Sequence, residues 1–203
     1  TKTLKKHFEA VGEKILKKIK FEKNDYILDI GGNDGTFLKF FKNKNINVLN
    51  VDSGKEQANL SNKVGIKCIN DFFEEEISKV IKSNYNQAKV IHGSGIFFHL
   101  EDLKSVFKGI KKLLMKDGIL VAEFIYLPSM IKNLAFDQIY HEHLLYYSLH
   151  SLQNLLDQFD LEIIDSELYE IHGGSCVAYI AHKTNNKPKS NKYLNMLENE
   201  KKE

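Results

Sequence analysis

One stretch decides the fold of this chain: Ile27-Leu28-Asp29-Ile30-Gly31-Gly32-Asn33-Asp34-Gly35-Thr36-Phe37-Leu38. An apolar run leads into glycines, and a helix-like apolar pattern follows. This order predicts a buried parallel strand, a tight ligand-binding turn and the first turn of a helix. Gly31, Gly32 and Gly35 permit backbone angles that side chains forbid, and they let a ligand lie against the main chain. The N–H groups at the start of the helix favour a carboxylate or another anion.

The spacing of these glycines indicates which nucleotide-like ligand the turn accepts. The dinucleotide fingerprint G-x-G-x-x-G would need glycine at Asn33 and Thr36, and Asp34 would sit badly beside a pyrophosphate. The pattern D-x-G-x-x-x-G, which begins at Asp29, suits a ligand that has no phosphate and carries a positive centre. S-adenosylmethionine, a sulfonium cation with a ribose and an adenine, is such a ligand. The alternative is an ordinary glycine-rich turn after a core strand.

Length, charge and cysteine content limit the class of protein. The chain has 203 residues, enough for one domain with a full core, and its net charge of +2 gives no general attraction to nucleic acid. Cys68 and Cys176 lie far apart without a CxxC partner, which predicts neither a disulfide framework nor a metal site. No signal peptide or membrane-spanning run is visible. We therefore expect a cytoplasmic protein that binds a small molecule, not nucleic acid or a membrane, and the oligomeric state stays open.

Apolar runs and amphipathic stretches alternate along the chain as five β-α units, which predicts an α/β fold. An amphipathic helix over residues 3–19 is expected to cover one edge of the sheet. Strands are predicted at 26–30, 46–51, 65–69, 88–91, 119–126, 161–168 and 175–182, and helices at 36–42, 56–64, 101–115 and 149–159. The last two strands would complete a seven-stranded, mostly parallel sheet with helices on both faces. We expect a domain over 1–183 and a Lys/Asn-rich tail or linker over 184–203.

Acidic residues follow two of these strands. Asp52 comes 23 residues after Asp29, and a carboxylate at the end of a second strand matches the two hydroxyls of a ribose. A helix N-cap is the alternative, a role that Ser53 could also serve. After the third strand, Asp71 could meet an adenine amino group and Phe72 could pack on the base. The alternative for these two is a helix cap beside core phenylalanines.

The loop beyond the fourth strand supplies further candidates, because the carboxyl ends of strands carry the ligand in open α/β sheets. Ser94, Gly95 and His99 are the candidate pocket residues of this loop. The predicted cofactor contacts are Asp29, Gly31, Gly32, Asn33, Gly35, Asp52, Ser53, Asp71, Phe72 and Ser94.

Tyr140-His141-Glu142-His143 is the densest set of proton-handling groups in the chain. The ordinary pKa of histidine, about 6.5, suits it to general base work near neutral pH. A sulfonium methyl is already a strong electrophile, so an enzyme must mainly supply a deprotonated acceptor in line with it. Three alternatives stay open. They are a metal pair formed by His141 and His143 in extended backbone, a structural histidine, and an aromatic lid formed with the neighbouring tyrosines.

Four segments together resemble the sugar C-methyltransferase family: residues 28–36, residues 136–144, Tyr147-Ser148 and His172-Gly173-Gly174-Ser175. The resemblance covers about residues 3–183, in order. The Tyr-His-Glu-His and His-Gly-Gly-Ser pieces are more selective than the glycine turn. Members of that family use S-adenosylmethionine to methylate the carbon next to a 4-keto group on nucleotide-linked deoxysugars.

The resemblance implies a Rossmann-like class I methyltransferase and a base-assisted C-methylation. A base removes the acidic proton beside the ketone, and the enolate carbon takes the methyl group. Matching the motif implies that His143 is the base and that Glu142 and Tyr140 are its polar partners in catalysis. The implied substrate contacts are His141, His99, His172, Gly173 and Gly174.

The sequence departs from this family in several places. The 203 residues hold neither the N-terminal zinc-binding region nor the C-terminal domain that members usually carry. The acid after the second strand is often Glu followed by Pro, whereas this chain has Asp52-Ser53-Gly54. Ser94-Gly95 stands where Asn and a small apolar residue are expected. Two other functions therefore stay open: an O-methyltransferase acting on a glycan or another small polar acceptor, and a cofactor-binding module of a larger assembly without activity of its own.

Overall fold

A computed structural model describes residues 2–171 and 173–202 of the chain. The strands are β1 (Tyr26–Ile30), β2 (Asn47–Val51), β3 (Cys68–Ile69), β4 (Ala88–Ser94), β5 (Leu114–Ile125), β6 (Leu161–Tyr169) and β7 (Ser175–His182). Within the described residues they form one seven-stranded sheet in the order β3-β2-β1-β4-β5-β7-β6. The first five strands run parallel, and β7 is antiparallel to both of its neighbours. The predicted sheet is confirmed.

Helices cover both faces of this sheet, as predicted. They are α1 (Lys2–Lys18), α2 (Thr36–Lys42), α3 (Lys55–Lys63), α4 (Glu75–Tyr85), α5 (Leu103–Leu113), α6 (Leu127–Lys132), α7 (Leu149–Asp157) and α8 (Asn191–Glu200). One apolar cluster joins α1 and α2 to the sheet, and a second joins α4, α5, α7 and α8 to its other face. No helix in the described part of the chain combines the length and apolarity that crossing a membrane would require.

Helix α1 lies on a face of the sheet, which corrects the expectation that it covers an edge. Val11 and Ile15 are fully buried in the same cluster as Val121 of β5 and Tyr179 of β7. An apolar stripe repeated at i and i+4 needs a broad apolar surface, and the middle of this sheet offers one. The first turns of α1 consequently lie above the carboxyl ends of the central strands.

Several predicted boundaries were wrong. Strand β4 continues to Ser94, where a loop was expected, because it stays paired with β5 through the Ser94–Glu123 register. Strand β5 begins at Leu114, directly at the end of α5, so residues 116–118 lie within a strand. Strand β3 has only two residues. Helix α4 was not singled out, because its charged residues weaken the apolar pattern that buries Ile81.

The residues between β5 and α7 (126–148, the β5–α7 segment) leave the sheet and return to it at one place. Tyr126 and Tyr147 form a parallel bridge, and Leu127 N–H donates to the Tyr147 carbonyl at 2.9 Å. The segment contains α6, with Pro128 at its start, and a short 3₁₀ turn at Phe136–Gln138. Its two ends are therefore held together above the carboxyl end of β5.

Helix α8, within the predicted tail, packs on β6 and α7 and buries Tyr193. Its last residue, Glu200, has a side chain only 5% exposed. The carboxylate accepts the N–H groups of Leu149 at 2.6 Å and His150 at 3.0 Å, and the Tyr126 hydroxyl at 2.6 Å. A carboxylate at the start of a helix satisfies donors that would otherwise have no partner inside the helix. Glu200 thus caps α7 from a distant part of the chain.

We expect Glu200→Ala to lower the free energy of unfolding by about 2–3 kcal/mol, because three hydrogen bonds to a charged group are lost together. Urea denaturation of both proteins at neutral pH measures this difference. Glu198→Ala is the matched control, because Glu198 is an exposed residue of α8 that forms an ion pair with Lys202, just beyond the end of the helix. It should change stability by less than about 0.5 kcal/mol. Equal losses in the two variants would contradict the capping role.

Asp165 of β6 makes a pH-dependent contribution to stability. Burial acts to raise the pKa of this carboxyl, but hydrogen bonds from Lys18 and Ser190 outweigh it and hold the pKa below the ordinary 3.8. A lowered folded-state pKa stabilises the fold above the unfolded-state pKa, and this contribution disappears as the pH falls through the folded-state value. We expect Asp165→Asn to be less stable than wild type by about 1 kcal/mol at pH 7. Urea titrations should show this gap closing below pH 3.8, and a gap that is constant with pH would contradict the assignment.

Candidate functional site

A cavity of about 520 Å³ opens at the carboxyl ends of β1, β4 and β5. The glycine turn after β1 forms one wall, and the ends of β4 and β5 form the floor. The start of α1 and part of the β5–α7 segment complete it. Ligands of open α/β sheets bind where the strand order reverses, and here that point lies between β1 and β4. The cavity is therefore the candidate site, and the predicted residues are described relative to it.

The glycine turn is built without room for side chains. Gly31 and Gly35 have φ angles of +68° and +78°, in the region that favours glycine. A Cβ atom on Gly32 would lie 2.4 Å from Asn50 Oδ1 and 2.6 Å from Asp29 Oδ2. The Asn50 side chain donates to the Asn33 carbonyl at 2.9 Å and so fixes the turn. The backbone can therefore approach a ligand closely.

Asp29 lies beneath this turn and is buried. Its Oδ1 atom is 2.7 Å from His92 Nδ1, and the His92 ring stacks on Phe37 with 3.6 Å between ring centroids. Burial raises the pKa of the Asp29 carboxyl, and the neighbouring His92 opposes that rise. Asp29 lines the cavity, as predicted for a cofactor contact.

Some of the hydrogen-bond donors at the start of α2 already have a partner within the protein. Asp34 Oδ1 accepts the Thr36 N–H at 3.0 Å and the Thr36 hydroxyl at 2.6 Å. The anion expected at this helix start is therefore supplied in part by Asp34, which qualifies the expectation of an anion site for a ligand. Gly31, Gly32 and Asn33 still line the cavity.

The predicted adenosine contacts lie beyond this cavity. Asp52 is half-buried, and its carboxylate accepts the N–H groups of Asn33 and Gly54, both at 2.9 Å. Asp52 thus shapes the glycine turn directly. Ser53 and Asp71 are exposed, and Asp71 Oδ1 accepts the N–H of Phe72, which is 68% exposed. The structure places Asp52 against the turn, and it leaves Ser53, Asp71 and Phe72 at the surface beside the sheet.

His143 is the buried histidine of the Tyr-His-Glu-His run and lines the cavity. Its Nδ1 atom lies 2.8 Å from the Gln138 carbonyl oxygen. Because a carbonyl only accepts, Nδ1 carries the hydrogen and Nε2 is the nitrogen with a lone pair. Its ring packs against Phe98 and Tyr140, with centroids 4.4 Å and 4.1 Å away. The imidazole is therefore oriented with a basic nitrogen available.

The other members of this run divide between inside and outside. Tyr140 lines the cavity. The side chains of His141 and Glu142 are 90% and 65% exposed, outside the cavity lining. The Glu142 carbonyl accepts from His99 Nδ1 at 2.7 Å, so His99 supports the loop from outside the lining. Among the described residues, no group of three His, Cys, Asp or Glu side chains is placed to hold a metal ion.

Gly173 and Gly174 lie against α6, also outside the lining. Both have positive φ angles, +77° and +117°, and a Cβ atom on Gly174 would lie 2.5 Å from the Ser129 Cβ atom. The Gly173 carbonyl accepts from the Asn133 side chain at 2.9 Å. The predicted substrate contact His172 lies outside the described residues. The two glycines therefore pack the turn before β7 against α6. Their neighbour Ser175 lines the cavity.

Sequence reasoning did not identify several residues that line the cavity. The most notable is Glu123 of β5, which is 3% exposed and accepts the Ser94 hydroxyl at 2.9 Å. A charged residue inside the apolar run of β5 was the available signal. His92 had been assigned to a loop, and Gln138 had no assigned role. Leu4, Lys5 and Phe8 of α1 also line the cavity, which no local pattern indicated.

The donor set at this end of the sheet fits S-adenosylmethionine. The turn from Gly31 to Asn33 offers close backbone approach, and Asp29 provides a carboxylate beside it. Asp52 holds the same turn through the Asn33 N–H and belongs to the edge from which a ribose would be bound. A cavity walled by acids and glycines suits a cationic ligand without phosphate.

Comparison with known proteins gives a consistent answer. Residues 4–166 match the family described as a methyltransferase domain. The C-methyltransferase NovU of Streptomyces niveus is 31% identical over 175 residues, which are 86% of this chain and 42% of that protein. The chain therefore spans less than half the length of that relative.

Solved structures share the fold. A SAM-dependent methyltransferase from Archaeoglobus fulgidus superposes with a TM-score of 0.65 at 18% identity, over 82% of this chain and 73% of that one. Magnesium protoporphyrin IX methyltransferase from Synechocystis PCC 6803, solved with bound SAH, gives 0.65 at 8% identity, over 87% and 82%. At such identities the likeness shows the fold alone.

Proposed function

Because this chain belongs to the methyltransferase domain family, we propose that it methylates the carbon next to the ketone of a nucleotide-linked keto-sugar. The predicted class of enzyme and the predicted cofactor, S-adenosylmethionine, are confirmed by the family. The choice of a carbon acceptor is supported by the likeness to a protein named a C-methyltransferase. The observation that carries the proposal is the His143 imidazole in the cavity, with its hydrogen held at Nδ1 by a carbonyl.

Binding of the cofactor falls to the glycine turn and its neighbours. When bound, S-adenosylmethionine supplies an electrophilic methyl group on a sulfonium. Gly31, Gly32 and Asn33 would hold it through the backbone, and Asp52 would accept hydrogen bonds from the ribose hydroxyls. Asp29 keeps a carboxylate beneath the turn. A class I fold binds in this way at the reversal of strand order, here between β1 and β4.

The acceptor must become a nucleophile, and His143 performs that step. Nε2 takes the acidic proton from the carbon beside the ketone, and the electron pair of the broken C–H bond moves into the enolate. The imidazole becomes an imidazolium, which the Gln138 carbonyl stabilises through Nδ1–H at 2.8 Å. Tyr140, with its ring centroid 4.1 Å from that of His143, donates a hydrogen bond to the enolate oxygen.

Deuterium incorporation tests this function. The chain is incubated in D₂O with S-adenosylhomocysteine and a nucleoside-diphosphate 4-keto-6-deoxysugar, so that proton removal occurs without methyl transfer. We expect deuterium at the carbon beside the ketone, because His143 exchanges that proton with solvent. With S-adenosylmethionine, mass spectrometry and NMR should then find a C-methyl product.

Each alternative function has its own result in this experiment. A methyl ether in the product, with no deuterium on carbon, would identify an O-methyltransferase. Calorimetric binding of S-adenosylhomocysteine with neither exchange nor product would identify a cofactor-binding module. Either result would contradict the proposed C-methylation.

A further inference from the structure

A row of buried polar side chains crosses three strands beneath α1. Asp29 of β1 is in register with His92 of β4, and Ser94 of β4 is in register with Glu123 of β5. Residues in register on neighbouring strands point to the same face, as do residues two apart on one strand. The row therefore runs along one face at the carboxyl end of the sheet, where the cavity opens. The proposed function uses its β1 end but leaves Glu123 without a role.

Glu123 is incompletely satisfied by the residues around it. Its Oε2 atom accepts the Ser94 hydroxyl at 2.9 Å. Its Oε1 atom lies 2.9 Å from Nε2 of His7 on α1, and both side chains are about 4% exposed. That contact lacks hydrogen-bond alignment, so in the described part of the chain neither Oε1 nor Nε2 has an aligned partner. Glu123 lines the cavity, so its carboxylate, which has capacity for further hydrogen bonds, borders the space that a ligand would occupy.

Such an arrangement costs stability unless a further partner completes it. Burying a carboxylate is unfavourable when its oxygens are not all paired or hydrogen-bonded. The His7 imidazole lies beside the carboxylate, and its ring is held edge-on against Tyr169 with centroids 4.6 Å apart. The proximity of Glu123 contributes, after burial and Tyr179, to the raised pKa of Tyr169. A buried group left under-satisfied calls for an explanation, such as a ligand or an ordered water that completes its hydrogen bonds.

The position of Glu123 favours the acceptor over the cofactor. The glycine turn follows β1 and Asp52 follows β2, whereas Glu123 lies on β5, two strands from β1. Neighbouring strands are about 4.8 Å apart, which puts Glu123 roughly 10 Å from the β1 axis. The β5–α7 segment, which carries Tyr140 and His143, begins three residues after Glu123. Glu123 therefore belongs to the half of the cavity that holds the reacting groups.

We propose that Glu123 is a specificity-determining residue that accepts a hydrogen bond from a ring hydroxyl of the acceptor sugar, with Ser94 and His7 as its positioning residues. This inference rests on the proposed function for the identity of the acceptor. A carboxylate oxygen is a strong acceptor for a sugar hydroxyl, and the low dielectric of a buried site strengthens the bond. The hydroxyl would fix the sugar ring at the floor of the cavity, so that its acidic carbon meets His143.

The experiment compares Glu123→Gln with wild type in equilibrium binding. Both proteins are saturated with S-adenosylhomocysteine and titrated with a nucleoside-diphosphate 4-keto-6-deoxyglucose and with its 2-deoxy and 3-deoxy analogues. Wild type should bind one deoxy analogue at least about tenfold more weakly than the parent, because a buried acceptor is left unpaired. Glu123→Gln should bind the parent at least about tenfold more weakly than wild type and should no longer distinguish that analogue.

Two further measurements separate this role from a structural one. Glu123→Gln should leave the affinity for S-adenosylhomocysteine unchanged, because Glu123 lies two strands away from β1 and its glycine turn. Glu167→Gln is the matched control, since Glu167 is a partly buried glutamate of β6 outside the cavity lining. It should bind the parent sugar and its analogues as wild type does.

The outcomes that overturn the proposal are distinct. Weaker binding of S-adenosylhomocysteine by Glu123→Gln would assign the carboxylate to the cofactor. Unchanged sugar binding with lower stability would make Glu123 structural. If wild type makes a C-methyl product while Glu123→Gln still distinguishes the analogues, only this inference fails. If the sugars bind in the expected pattern without a C-methyl product, only the proposed function fails. Absence of sugar binding by wild type overturns both.

Discussion

His143→Gln is expected to slow methyl transfer by about 10²–10⁴-fold while leaving the affinity for S-adenosylhomocysteine unchanged. The substitution removes the nitrogen proposed to take the acceptor proton, and it lies on the β5–α7 segment, away from the glycine turn. Deuterium exchange at the sugar carbon should fall with the rate, because both depend on the same proton removal. Steady-state turnover, exchange by NMR and calorimetry together measure the three quantities.

His141→Gln is the matched control for this prediction. His141 is two residues away on the same loop, and its side chain is 90% exposed, so it is expected to leave the turnover rate unchanged. The comparison also tests the implied substrate contact at His141, which the structure puts outside the cavity lining. Equal activity in the two variants would contradict the assignment of His143 as the base.

Asp52→Ala is expected to weaken binding of S-adenosylhomocysteine by about 100-fold, since hydrogen bonds between a carboxylate and two ribose hydroxyls are worth about 3 kcal/mol. Isothermal titration calorimetry measures the change. Asp52 also accepts the N–H of Asn33 at 2.9 Å, so part of any loss could arise from a disturbed turn. The ribose role and the turn role therefore need separate measurements.

An analogue of S-adenosylhomocysteine that lacks both ribose hydroxyls separates them. If Asp52 binds the ribose, wild type and Asp52→Ala should bind this analogue with the same weak affinity. If Asp52 acts only by holding Asn33 and Gly54, the substitution should lower the affinity for S-adenosylhomocysteine and for the analogue by the same factor. The second pattern would support the N-cap interpretation of Asp52 and remove it from the ribose site.

Much of the fold could be predicted from local pattern. Strands β1 and β7 match the predicted ranges at both ends, because each is a short apolar run between polar residues. Strand β4 was cut short because His92 and Ser94 are polar, although pairing with β5 keeps them in the sheet. Helix α1 was predicted to cover an edge of the sheet. An amphipathic pattern indicates that one side of a helix is buried, but it does not indicate against which surface.

The candidate site was predictable where chemistry and sequence proximity coincide. The glycine turn and His143 come from single segments, and both line the cavity. Matching the family motif implied that Glu142 is a partner of His143, yet the Glu142 side chain is 65% exposed and lies outside the cavity lining. Glu123 and His7 meet only through the tertiary packing of α1 on β5, so no spacing rule could connect them.

Because the parallel bridge between Tyr126 and Tyr147 holds its two ends together, the β5–α7 segment can be exchanged as a unit. The chain leaves the sheet and re-enters at one point, so the ends of a replacement of similar length would meet without moving β5 or α7. The closure entropy of the loop grows slowly with length, so a moderate change of length would cost little on that account. Homologous domains could therefore change their acceptor by replacing this one segment. Their affinity for the methyl donor would stay the same. Chimeras that transplant residues 127–146 between relatives that share the glutamate at position 123 should retain donor binding and follow the graft in acceptor choice.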